Sequence, residues 1–76
     1  MPELPRVAAR RTIAALQRAG FVQHHETGSH AVLVNHEQRR TAIVPRHGGH
    51  DLPVGTLHSI LKQAGLTVEQ FLALLN

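Results

Sequence analysis

His30-Ala31-Val32-Leu33-Val34-Asn35, and beyond it Arg40-Thr41-Ala42-Ile43-Val44, decide how this chain folds. The first run is rich in β-branched residues and reads as a strand. The second reads as a further strand, ended by Pro45, which has no N–H to give to a ladder. The polar stretch from Asn35 to Arg39 joins them as a hairpin loop without glycine, which leaves its length open. Upstream, Phe21 to Glu26 reads as a first strand, broken by Gly28. Connections this short favour an antiparallel meander. The two-residue period puts His30, Val32 and Val34 on one face of the middle strand. Ala31 to Val34 shows no polar alternation, which fits a strand covered on both faces.

Helices flank these strands. Residues 6–19 form one, with Pro5 just before it and Gly20 as its stop. Ala9, Ile13 and Leu16 make its apolar stripe, and Arg11 and Arg18 lie on the opposite, solvated face. Arg46-His47-Gly48-Gly49-His50-Asp51 reads as a loop by its glycines. A second helix starts between Pro53 and Thr56, with Leu57, Ile60, Leu61 and Ala64 on one side and Gly65 as its stop. A third starts at Thr67, where Thr67 and Gln70 fit a capping box and Leu66 with Phe71 fits the accompanying staple. Its stripe is Val68, Phe71, Leu72 and Leu75. The order is α-β-β-β-α-α: an α+β fold with helices on one face of a three-stranded antiparallel sheet.

The chain is 76 residues long, which allows a single domain spanning 1–76. Two phenylalanines are its only aromatic residues, so the core is aliphatic. No apolar run approaches the ~20 residues that cross a bilayer. Met1-Pro2-Glu3-Leu4-Pro5 has neither the basic nor the apolar region of a signal peptide. The absence of cysteine excludes disulfides and thiolate metal sites and suits a reducing cytoplasm. The formal charge is +3, from eight basic and five acidic residues, and seven of the eight bases are arginine. Arginine suits phosphate because its planar fork bonds bidentately.

No phosphate-binding glycine loop and no nucleophile elbow occurs. Five scattered carboxylates do not suggest a carboxylate–metal nuclease. Seven histidines remain as reagents. His47 and His50 form H-x-x-H and His24-His25 are adjacent, but neither has a good zinc spacing. His36 and His58 read as surface residues. His30 differs in its setting, because Gly28-Ser29-His30 turns one strand into the next and leaves an imidazole at a strand edge. Such a ring can take or give a proton near neutral pH.

Taken together, Ala19-Gly20-Phe21, Gly28-Ser29-His30, Val44-Pro45-Arg46-His47-Gly48-Gly49 and the run from Gly55 to Thr67, with Phe71 beyond, resemble the HicA family of toxins from prokaryotic type II toxin–antitoxin systems. The resemblance covers about Pro5 to Leu75. It implies a fold like that of double-stranded RNA-binding domains, α-β-β-β-α with helices on one sheet face. It also implies ribosome-independent cleavage of mRNA, with His30 as the catalytic residue. The implied partner is a HicB-type antitoxin that covers the site. Where the family commonly carries bases just before its Gly-Ser-His, this chain has His24-His25-Glu26-Thr27. Glu26 thus brings negative charge to where a substrate phosphate would approach.

On that resemblance a mechanism needs no metal and no cofactor. RNA supplies its own nucleophile, the 2′-hydroxyl, and His30 acts as the base that takes its proton or the acid that protonates the leaving 5′-oxygen. Arg46, His47 and Lys62 are the candidate cations for the phosphorus centre, while Gly28 and Ser29 shape the turn. DNA, lacking the 2′-hydroxyl, is not an expected substrate. Two other classes fit the same residues: a non-catalytic module that binds double-stranded RNA by shape, and a protein-interaction module whose sheet docks another chain.

Overall fold

A computed structural model describes residues 3–46 and 50–75. It contains α1 (Ala9–Arg18), β1 (Val22–Glu26), β2 (His30–Asn35), β3 (Arg40–Pro45), α2 (Val54–Ala64) and α3 (Val68–Leu74), the expected order. The strands form an antiparallel sheet in the order β1-β2-β3.

One sheet face is the floor of the core. Ala31 and Leu33 of β2 and Ala42 and Val44 of β3 are completely buried there. In the register, Ala31 lies opposite Val44 and Leu33 opposite Ala42, so each cross-strand pair combines a small side chain with a larger one. This alternation lets helix side chains interdigitate with the sheet. The predicted stripes supply them: Ala9, Ile13 and Leu16 from α1, Leu57, Ile60, Leu61 and Ala64 from α2, and Phe71 from α3 are all buried. The opposite face is open. Val32 and Val34 are half-buried on it, with Ile43 at 45% exposure and Val22 at 58%. The apolar run of β2 is therefore covered on one face of this chain, not on both.

Helix α1 starts at Ala9 rather than at residue 6. Its predecessors are drawn into a tertiary pairing: Ala8 is extended, with ψ 154°, and bridges Asp51, while Leu52 N–H donates to the Val7 carbonyl at 2.9 Å. Burial of Val7 outweighs three further residues of helix. The C-terminal stop stands. Gly20 takes φ 99°, its N–H donates to Gln17 O, and Phe21 N–H donates to Leu16 O, a Schellman motif. Helix α2 ends the same way, with Gly65 at φ 72° and bonds to Lys62 O and Leu61 O.

The β2–β3 loop spans residues 36–39 and closes without glycine because Arg39 takes φ 57° and the Asn35 carboxamide oxygen accepts Gln38 N–H at 3.0 Å. Asn35 is buried, and Asn tolerates such a local role well. Helix α2 packs along β3, and Gln63 Oε1 accepts the edge N–H of Ile43 at 2.8 Å. Strand β1, the other edge, has every side chain exposed and a bulge between Gln23 and His25. Both halves of the Thr67–Gln70 capping box form. Arg18 is not simply a solvated charge, since Nη1 donates to Leu74 O at 2.6 Å and ties the end of α1 to the last turn of α3.

Two glycines near opposite ends of α2 give a paired prediction. At Gly65 a side chain is strained by φ 72°, and a methyl group there would lie 2.5 Å from Arg40 Cζ, which must swing aside. Gly65→Ala is expected to lower stability by about 1–2 kcal/mol. Gly55 has open space and no left-handed φ. Gly55→Ala is expected to raise stability by roughly 0.4–1 kcal/mol. Chemical denaturation of both variants checks the opposite signs. Thr67→Ala removes the α3 cap and is expected to cost about 1 kcal/mol in the same measurement.

Candidate functional site

The Gly28-Ser29-His30 segment sits at the end of the sheet where β1 hands over to β2. The turn is closed by Thr27, a residue the sequence reading passed over. His30 N–H donates to Thr27 Oγ1 at 3.0 Å, and Thr27 N–H donates to the His30 carbonyl at 2.9 Å. The two residues thus hold each other across the turn, which fixes the backbone of His30 while its side chain stays exposed.

Gly28 does not have the role expected of it. Its φ is outside the left-handed region, and a Cβ built there meets nothing within 4 Å. The bend depends on the Thr27–His30 bonds and not on glycine's conformational freedom.

Ser29 also differs from expectation. Its hydroxyl lies 3.0 Å from Nδ1 of the His30 ring instead of bonding the turn. This contact has a chemical consequence for the other ring nitrogen. If Nδ1–H donates to Ser29 Oγ, Nε2 is a bare acceptor, as a base requires. If the hydroxyl donates to Nδ1, Nε2 carries the proton, as an acid requires. A hydroxyl can serve either tautomer by rotating, so Ser29 is compatible with both halves of an acid–base cycle.

His30 lies opposite Pro45 of β3, and Arg46 follows directly. Arg46 N–H donates to the Ser29 carbonyl at 2.7 Å, extending the β2–β3 ladder by one step and holding Arg46 beside the turn. The Arg46 guanidinium makes an ion pair with Glu26, the last residue of β1. The structure therefore brings together Gly28, Ser29, His30 and Arg46, with Thr27 and Glu26 added.

Lys62 is placed elsewhere. It lines a groove of about 400 Å³ between α2 and the start of α3, together with His58, Leu61 and Val68. Among the described residues, no hydrogen bond or ion pair joins Lys62 to the Gly-Ser-His turn. His47 lies outside the described residues. His24 is the bulge residue of β1, and its ring meets that of His36 edge-on, with centroids 6.3 Å apart. Among the described residues, no three His, Asp or Glu side chains cluster to hold a metal ion. None of the described helices is long and apolar enough to cross a membrane.

By two-residue alternation, His30 stands in line with Val32 and Val34 on the open sheet face, with Ile43 beside Val32 on β3. The candidate site and the exposed apolar surface are thus continuous.

No curated protein matches the chain. The family model described as HicA toxin of bacterial toxin-antitoxin matches residues 9–66, from the first residue of α1 to the residue after the Gly65 stop. That span takes in the whole sheet, the Gly-Ser-His turn and α2, and on that match the chain belongs to the HicA family of toxins of bacterial toxin–antitoxin systems.

Proposed function

We propose that this toxin is a metal-independent endoribonuclease that cuts mRNA without the ribosome, with His30 as its proton-transfer catalyst. The observation that carries the reading is the setting of His30. It is an exposed imidazole, its backbone locked by Thr27, its Nδ1 met by Ser29, and an arginine backbone bonded to the same turn.

The chemistry follows from what such a site has and lacks. It offers an acid–base group but no activated nucleophile of its own. RNA carries one, the 2′-hydroxyl next to the scissile phosphate. Nε2 of His30 takes the 2′-hydroxyl proton as the oxygen attacks phosphorus, or gives a proton to the departing 5′-oxygen. Either role leaves a 2′,3′-cyclic phosphate on one fragment and a 5′-hydroxyl on the other. Negative charge growing on the phosphoryl oxygens is met by the guanidinium of Arg46. Lys62, on the α2–α3 groove, has no part in this scheme.

The partner proposed is a HicB-type antitoxin, docked on the open sheet face. Ile43, Val32 and Val34 form its apolar footing, and His30 stands in line with them. A chain that covers the apolar surface therefore covers the imidazole too, so neutralisation needs no separate blocking element.

His30→Ala is expected to reduce RNA cleavage by about 10²–10⁴-fold. Because the ring is exposed, thermal stability should stay within about 0.5 kcal/mol of the parent. Growth arrest on induction should be lost. A folded variant that still cuts RNA and arrests growth would overturn the assignment. A single 2′-deoxy substitution at a mapped cut site is expected to block cleavage there, and excess chelator to leave the rate unchanged. Fragments ending in a 3′-hydroxyl, or activity restored only by divalent metal, would point to water as the nucleophile. Gly28→Ala is expected to keep or slightly raise the melting midpoint, as nothing opposes a Cβ there.

A further inference from the structure

We infer that Glu26 is a built-in competitor of substrate for Arg46, so that the ion pair between them sets how tightly the site holds RNA phosphate. The inference rests on the proposed use of Arg46 at the scissile group, and it concerns a residue with no place in that chemistry.

Glu26 closes β1 and Arg46 follows the last residue of β3. These strands are not neighbours. Strand β2 lies between them, and two strand spacings amount to roughly 10 Å. The register nevertheless aligns the two residues at one end of the sheet. Glu26 lies opposite Ala31, and Ala31 lies opposite Val44. Arg46 is two residues beyond Val44 and is held to the Ser29 carbonyl. Two long side chains reaching toward each other thus span the start of β2 from the face that Ala31 and Val44 share, while His30, the first residue of β2, stands on the other face at the same end of the sheet. Both are 41% exposed, so the pair is open to solvent and to an arriving polyanion.

An exposed ion pair contributes little to stability, because water screens it and holding two long side chains costs entropy. Its effect on a ligand is different. A phosphate that takes the Arg46 guanidinium must displace a carboxylate already there, and then lies close to that carboxylate. Phosphate favours bidentate arginine geometry for the reasons that carboxylate does, so the two ligands compete for one fork. Glu26 lowers affinity without touching the reacting atoms. In this chain it keeps Arg46 occupied until an anion with more than one contact point arrives.

The test measures binding and cleavage separately. Binding of a mixed-sequence single-stranded RNA is measured by chains carrying His30→Ala, which keeps the probe intact. Glu26→Gln is added to this background, then Arg46→Gln, then both. Glu26→Gln is expected to tighten binding about two- to fivefold, the range of one exposed ion pair. The slope of log affinity against log salt should steepen by about 0.7, as for one more phosphate contact on a single strand. Both gains should vanish in the Arg46→Gln background, which a purely structural role for Glu26 would not produce. Unchanged or weaker binding by Glu26→Gln, a gain that persists without Arg46, or no RNA binding by either form would overturn the inference. Cleavage is followed in parallel in chains that keep His30. Tighter binding without cleavage by the parent chain would overturn the nuclease reading and leave the competitor role standing. Cleavage by the parent, with binding indifferent to Glu26, would do the reverse.

Discussion

Strand β2 is hydrogen-bonded on both of its sides, and the rest of the chain is arranged around that pairing. Its inward residues, Ala31 and Leu33, meet the helices, and its outward residues, Val32 and Val34, form the middle of the open face. Its first residue is His30. The imidazole is thus attached to a strand whose backbone is held from both sides. The Thr27 bonds and the Arg46–Ser29 bond extend that constraint one residue past the strand on either side. A proton-transfer group benefits from such a mounting, because a small displacement of a reacting atom lowers the rate steeply.

Features set by neighbouring residues were legible in the sequence. The limits of β2, the Thr67–Gln70 capping box and the glycine stops at Gly20 and Gly65 all depend on bonds within a few residues, and all stand as read. Features that need distant partners were not. The start of α1 is decided by Asp51 and Leu52, more than forty residues away, which hold Val7 and Ala8 extended. Arg18 reads as a solvated helix charge until α3 ends against it. Gly28 was given the role glycine usually has in a turn, but the chain bends there through side-chain bonds of Thr27. The sequence signal for that role was present, since a threonine three residues before a strand-opening residue can cap its N–H. In the candidate site, His30, the proposed catalyst, was readable from its motif. The partnership of Glu26 with Arg46 was not, because it joins two edges that only the sheet aligns.

The arginine content also looks different once partners are assigned. Seven arginines in 76 residues suggest a surface made for polyanions. Yet Arg18 is engaged with the Leu74 carbonyl, the Arg40 side chain lies against Gly65 at the end of α2, and Arg46 is paired with Glu26. The first two place cations at the C-terminal ends of helices, where the backbone dipole favours them. Part of the positive charge therefore stabilises the fold. Net charge governs long-range attraction of RNA, whereas which arginine can grip a phosphate is decided by local competition.

The bulge in β1 and the Gln63 cap on β3 lie on the sheet's two outer margins, and together they bear on what the free toxin does to its own kind. A strand margin with open N–H and C=O groups is a template for another chain, and a short exposed sheet invites stacking into fibres. On β3, Gln63 already occupies the Ile43 N–H, so an incoming strand finds its register interrupted there. On β1, the extra residue at His24 breaks the even spacing that a second copy would have to match. The sheet can therefore leave one apolar face bare while both of its margins disfavour pairing with a second copy. Both irregularities oppose the edge-to-edge pairing of one copy with another.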